Sequence, residues 1–297
     1  MDAQLARHPG RFMANHRQER MVERRDRRIA WLVAPLISFA FAPVAAAAPS
    51  QPAVCDAAAF GVAIDVGHTG THYGALSAHG KGEFEFNRRL AQELVRKLRD
   101  NSFDRAEMVI QTDADLQKRA RALSSRRPNL MLSLHHDSVQ DKYLKTAELD
   151  GQIRTFTEGF HGYSIFVSRD NAYLDDSEKF AKLLGAELLA QHMSPTFHHV
   201  DQENRPIYDA TGGVFFYDGL VVLRQTTAPA VLLESAVISN PEDEKKAEDP
   251  LFRDRLTGAI TAAILKFCDI VTARSEPQAT TGTVTKPAAP EEQGARK

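Results

Sequence analysis

The chain has 297 residues, 43% of them apolar and 26% charged, ordinary values for a globular protein that exclude wholesale disorder and a polytopic membrane protein. Lys and Arg number 37 against 39 Asp and Glu, a net charge of −2 that offers no basic footprint for a nucleic-acid partner. Two cysteines are too few for a disulfide-dense scaffold or a four-cysteine zinc site.

Residues 1–28 carry eight Arg against four acids, and an uncharged stretch at 29–48 follows and ends in alanines. A basic segment, an apolar core and a small-residue site read as a secretory signal, with cleavage near Ala47 or Ala48. The rival reading is an uncleaved anchor, which the length of the stretch permits and Pro35 and Pro43 oppose. Export to the periplasm or cell envelope is the expectation, without stable membrane insertion after cleavage. Residues 49–272 form the folded block, and the Pro-, Thr-, Ala- and Glu-rich tail at 273–297 is expected to be disordered.

Within the block, strands are predicted at 61–66, 107–111, 130–134, 163–167, 220–223 and 230–233, and helices at 83–100, 115–124, 177–191 and 250–269. Residues 242–246 read as a solvated helix start after Asn240-Pro241. Alternating strands and helices predict a single α/β domain with a mainly parallel, about six-stranded sheet flanked by helices. In such sheets the chemistry lies beyond the carboxyl ends of the strands.

The first strand runs into Asp65-Val66-Gly67-His68-Thr69-Gly70, the third into Ser133-Leu134-His135-His136-Asp137, and the last into Glu234. A second carboxylate comes from the first turn of the 83–100 helix, at Glu83 or Glu85. Helical spacing puts Glu83 near the apolar stripe Phe86, Leu90, Leu94, Leu98, whereas Glu85 shares a face with Arg89 and Arg96. An inward carboxylate is costly unless something neutralises it, and a metal ion does so. Two His and one carboxylate are a catalytic zinc set, and a further, non-ligand carboxylate such as Glu234 suits proton transfer.

Alone, His68 reads more readily as a turn residue than as a ligand; joined to Glu83 and His135 it reads as a ligand. His136 is expected on the opposite strand face, in a surface or core role. Asp65 is expected to hold its loop by hydrogen bonding. His72 and His79 are read as ordinary loop residues, and His161, His198 and His199 carry no motif. Phe215-Phe216-Tyr217 reads as packing.

In this order the residues resemble the zinc-dependent N-acetylmuramoyl-L-alanine amidases of the type-3 catalytic domain family. The resemblance rests on Ile64-Asp65-Val66-Gly67-His68-Thr69-Gly70, on Glu83 with Asn87, on Ser133-Leu134-His135, and on Pro229-Ala230-Val231-Leu232-Leu233-Glu234 with Ser239-Asn240. It runs from about Val62 to Phe267. It implies one Zn²⁺ per chain held by His68, Glu83 and His135, with Glu234 as the catalytic carboxylate. It further implies hydrolysis of the amide between N-acetylmuramic acid and L-alanine in peptidoglycan. Arg224, upstream of the last motif, either binds a substrate carboxylate or pairs with a nearby acid.

Two positions depart from the family pattern: His136-Asp137 stand for its Ala-Asn, and Thr112 is followed by Asp113 where the family has Arg. Residues 139–160 occupy the place of an inhibitory insert but are short for one, and no activator protein is identified. The rival functions are a zinc carboxypeptidase acting on the stem peptide and a non-catalytic wall-binding protein. Cys55 and Cys268 lie near the two ends of the folded block, and in an oxidising compartment they are either joined or two separate buried thiols.

Overall fold

A computed structural model describes residues 54–112, 114–201 and 203–275 of the chain. The leader and signal expected at 1–48 lie outside the described residues, as does the expected tail from 276 onward. Side chains alternate along β1 (Val62–Val66): Val62, Ile64 and Val66 face one layer, Ala63 and Asp65 the other. The next elements are α1 (Glu83–Asp100), β2 (Ala106–Val109), α2 (Leu116–Ser124) and β3 (Leu130–Asp137). A hairpin of β4 (Lys145–Leu149) and β5 (Gln152–Phe156) follows, then β6 (Ser164–Val167) and α3 (Leu174–Ala190). The chain continues through β7 (Ile207–Asp209), β8 (Val214–Phe216), α4 (Val221–Gln225), β9 (Ala230–Val237), α5 (Pro241–Glu248) and α6 (Pro250–Ser275).

The main sheet has seven strands in the order β2-β1-β3-β9-β6-β8-β7. β2, β1, β3 and β9 are mutually parallel, β6 is antiparallel to β9, and β7 is antiparallel to β8. The four parallel strands bring the ends of β1, β3 and β9 to one edge.

Helices cover both faces, which is why these strands read as continuous apolar runs. On one face Ile64, Leu132 and Leu233 pack with Leu90 and Leu94 of α1, Phe180 and Leu184 of α3, and Ile260, Ile264 and Phe267 of α6. On the other, Ala63, Met131 and Leu232 pack with Leu123 of α2 and Leu223 of α4. α6 is long and apolar enough to cross a bilayer, but Leu256, Ile260, Ile264 and Phe267 are buried in the core, which accounts for that composition. Helix starts follow local chemistry. Asp115 caps α2 by accepting from the amides of Gln117 and Lys118, and Asn240 caps α5 with Pro241 in its first turn.

Cys55, ahead of β1, is disulfide-bonded to Cys268 in α6. The Cys55 amide also donates to Asp269 Oδ1 at 2.8 Å, so the start of the folded block is tied to its last helix twice.

The sheet differs from the expected six strands in two respects. Residues 220–223, expected as a strand, lie largely in the short helix α4, and the sheet gains β7 and β8. A four-residue apolar run does not distinguish strand from helix, and three-residue strands leave little periodicity to detect. The 139–160 segment holds the β4–β5 hairpin and a single 3₁₀ turn, with no α-helix.

Candidate metal centre and active site

Beyond Val66 the chain leaves the sheet at Gly67, and His68 adopts φ +63°, a left-handed conformation costing a side-chain-bearing residue roughly 1–2 kcal/mol. The surrounding contacts hold it there. Buried Asp65 accepts from Arg119 Nε at 2.7 Å and from Ser133 Oγ at 2.6 Å. Arg119, buried on α2, also donates to the carbonyl of Val66 and, at 3.5 Å, to that of His68. Asp65 thus holds the loop as expected, but through Arg119, which no sequence motif marked.

The α1 helix places Glu83 inward and leaves Glu85 exposed, as its apolar phase requires. Glu83 Oε2 lies 2.9 Å from His68 Nε2, and Glu83 Oε1 lies 2.9 Å from His135 Nδ1. The two imidazoles meet edge to face with centroids 4.9 Å apart. One ligand atom from each of the three residues lies within 4.8 Å of the others. Burial alone would raise the Glu83 carboxyl, but hydrogen bonds from His135 and His68 outweigh it and hold the group well below the usual carboxylate range.

The carboxylate is further fixed by the amide of Ala75 on Oε2 at 3.1 Å and the amide of His136 on Oε1 at 3.2 Å. Asn87, one turn along α1, donates to Oε1 at 3.0 Å and to the carbonyl of Gly67 at 3.3 Å. His136 departs from expectation. β3 carries a register irregularity between His135 and Asp137, so strict alternation fails there and both imidazoles serve the same centre. Burial pushes the His136 imidazole down to about 4, so it stays neutral and its Nδ1 donates to Asn87 Oδ1 at 2.7 Å.

Two glycines are required by close approach. A Cβ on Gly67 would stand 2.6 Å from His135 Cε1. Gly74 has φ +79°, and a Cβ there would stand 2.5 Å from His68 Cδ2 and overlap Glu83 Oε2. Gly74→Ala is therefore expected to weaken metal binding by about 10- to 100-fold, the usual cost of disturbing the groups that orient ligands. Titration against a competing chelator checks this, and unchanged affinity would refute it.

Glu234 sits on β9, paired in register with His135 on β3 and with Ser164 on β6. Its Oε2 is enclosed and has no hydrogen-bond partner among the described residues. Burial, then the charges of Asp137 and Glu83, raise this carboxyl well above its ordinary value. An acid whose ionisation is disfavoured thus stands in register with His135, one of the three clustered side chains. A cavity of about 240 Å³ opens against His68 and His135, with a largely apolar opposite wall that includes Leu116, Leu220 and Val222. Arg224, on α4, donates to the carbonyl of Asp218 at 3.3 Å and does not line this cavity. Of the loop histidines, His72 lines the cavity, whereas His79 pairs with Glu244 at 2.7 Å.

Residues 62–266 match the model of the family Amidase_3, N-acetylmuramoyl-L-alanine amidase. The amidase AmiA of Salmonella typhimurium is 23% identical over 226 residues, which are 69% of this chain and 75% of that protein. The fold is shared with the amidase Ami1 of Mycobacterium smegmatis, at TM-score 0.55 and 20% identity over 73% of this chain and 99% of that one. It is also shared with the catalytic domain of CwlV from Bacillus (Paenibacillus) polymyxa, at TM-score 0.52 and 24% identity over 71% and 99%. With the family matched across β1 to α6, the chain belongs to the N-acetylmuramoyl-L-alanine amidases, hydrolases of an amide bond in peptidoglycan.

Proposed function

We propose that this chain cleaves the bond between N-acetylmuramic acid and L-alanine with one zinc ion held by His68, Glu83 and His135, and with Glu234 as its proton-transfer group. The carrying observation is the convergence of two imidazole nitrogens on the two oxygens of one buried carboxylate, each at 2.9 Å. That donor set fits zinc: two nitrogens and one oxygen are a common catalytic set, and Asn87 and backbone amides already orient the acid as outer partners do. When bound, zinc supplies Lewis acidity toward a carbonyl oxygen and lowers the pKa of a water to about 7.

The protein's own residues do the rest. Glu234, unpartnered and raised in proton affinity, takes the proton of the attacking water and returns it to the departing L-alanine nitrogen. The Asp65–Arg119 pair and Ser133 hold the loop that presents His68. The apolar wall of the cavity suits the methyl-bearing lactyl and alanyl groups on either side of the scissile bond. Arg224, with one guanidinium nitrogen on a backbone carbonyl, is proposed to meet a stem-peptide carboxylate outside the cavity. We place the reaction in the periplasm or cell envelope, reached through the secretory leader at 1–48, with 49–272 as the catalytic domain.

The test is mass analysis of products from purified muropeptides, with and without a chelator. Release of intact stem peptide, lost on chelation and restored by zinc, is the expected result. Loss of a single terminal residue instead would mean a carboxypeptidase, and no zinc-dependent product at all would mean a binding protein on this fold.

A further inference from the structure

We infer that Asp137, His198 and His199 form a second divalent-metal site, for an ion of the zinc class, beside Glu234. Asp137 lies at the end of β3 past the irregularity, and His198-His199 lie in the connection between α3 and β7. Asp137 Oδ2 contacts His199 Nε2 and lies 3.1 Å from His198 Nε2. One ligand atom from each of the three residues lies within 4.8 Å of the others. Oδ1 of the same carboxylate accepts from the amide of Ser138 at 2.7 Å, which leaves Oδ2 turned toward the two imidazoles.

The observation that asks for a ligand is His198. Its side chain has no exposed surface, yet its Nε2 has no hydrogen-bond partner among the described residues, because the 3.1 Å approach to Asp137 lacks hydrogen-bond geometry. A buried imidazole nitrogen without a partner is costly, and an ion between it, His199 and Asp137 would satisfy all three at once. The other nitrogen of His198, Nδ1, lies 3.0 Å from Thr196 Oγ1, the kind of outer bond that a metal-bound imidazole makes. Two imidazole nitrogens with one carboxylate oxygen favour zinc over calcium or magnesium, which take oxygen sets. Asp137 also stands where the family pattern has Asn, so this chain places a charge there that an amide would not supply.

Arg205 makes the site conditional. Its Nη1 donates to His199 Nδ1 at 3.0 Å, so the His199 proton sits on Nε2, facing Asp137. Ligation through Nε2 moves the proton to Nδ1 and displaces the guanidinium, which already lies 5.3 Å over the ring of Tyr217 and has that face to rest on. The guanidinium and the metal are thus alternative partners for one imidazole, that of His199. With Glu234 paired to His135, two residues before Asp137, an ion here would lie next to the proposed proton-transfer group.

The experiment is a zinc count by native mass spectrometry on the purified full chain after equilibration with zinc alone. Two ions per chain are expected for the wild type. His198→Ala/His199→Ala should keep one, and so should Asp137→Asn, an isosteric change that preserves packing if the double variant misfolds. Arg205→Ala should keep two and bind the ion at Asp137, His198 and His199 several-fold more tightly. One zinc per wild-type chain that the His198/His199 variant retains, or two in that variant, overturns the inference. His68→Ala/Glu83→Ala separates the two sites: a single zinc surviving there and lost from the His198/His199 variant leaves this site standing and removes the reading of the first.

Discussion

Glu234→Gln is expected to lower the rate of amide hydrolysis by about 10³-fold, within the range that general acid–base groups contribute, while the zinc proposed at His68, Glu83 and His135 is retained. The reason is positional. Glu234 is fixed on β9 beside His135, with one carboxyl oxygen enclosed and unpartnered and its proton affinity raised by burial and by Asp137 and Glu83. Gln keeps the shape and cannot take a proton. The substitution also removes an acid whose ionisation the fold disfavours, so the melting temperature of the metal-free variant should be no lower than that of the wild type. Steady-state kinetics on muropeptides, paired with metal analysis and a thermal melt, separates the roles. Loss of zinc together with activity would make Glu234 a ligand, and activity within threefold of wild type would remove it from the chemistry.

Cys55→Ala is expected to destabilise the protein by about 2–5 kcal/mol without changing activity per folded molecule. The bridge joins residues 213 apart in sequence, so cutting it frees nearly the whole folded block in the unfolded state. Replacing Cys55 rather than Cys268 keeps the fully buried Cys268 in its packing, so the measured loss reports the cross-link. For a domain of this size the melting temperature should fall by roughly 10 °C, and a reducing buffer should lower the wild type by a similar amount. Cys55 precedes β1, at the end of that strand opposite His68, which is why turnover should survive. A shift of under about 2 °C would mean that the bridge contributes little beyond the other contacts of α6.

The legible and illegible parts of the molecule divide by the range of the interactions. The bounds of α1, and the choice of Glu83 over Glu85, follow from residues three and four apart on one helix, so a single stretch of sequence contains them. The residues that close the centre could be ordered along the chain only because strand ends in a parallel sheet share an edge, and β1, β3 and β9 do. Where the local signal was short it misled: residues 220–223 are apolar enough for a strand but pack as α4 against the helix-covered face.

Composition, helical phase and the order of the strand-end motifs were thus enough to assign the α/β class, the inward acid and the pair of imidazoles, because each depends on neighbours in sequence or on a general property of sheets. Tertiary structure alone decided that Arg119 grips Asp65 across 54 residues, that the β3 irregularity turns His136 toward Asn87, and that His198 and His199 reach Asp137 across about 60. Those contacts join side chains whose own surroundings in the sequence carry no period and no cap, and only the packing of one element on another fixes where they meet.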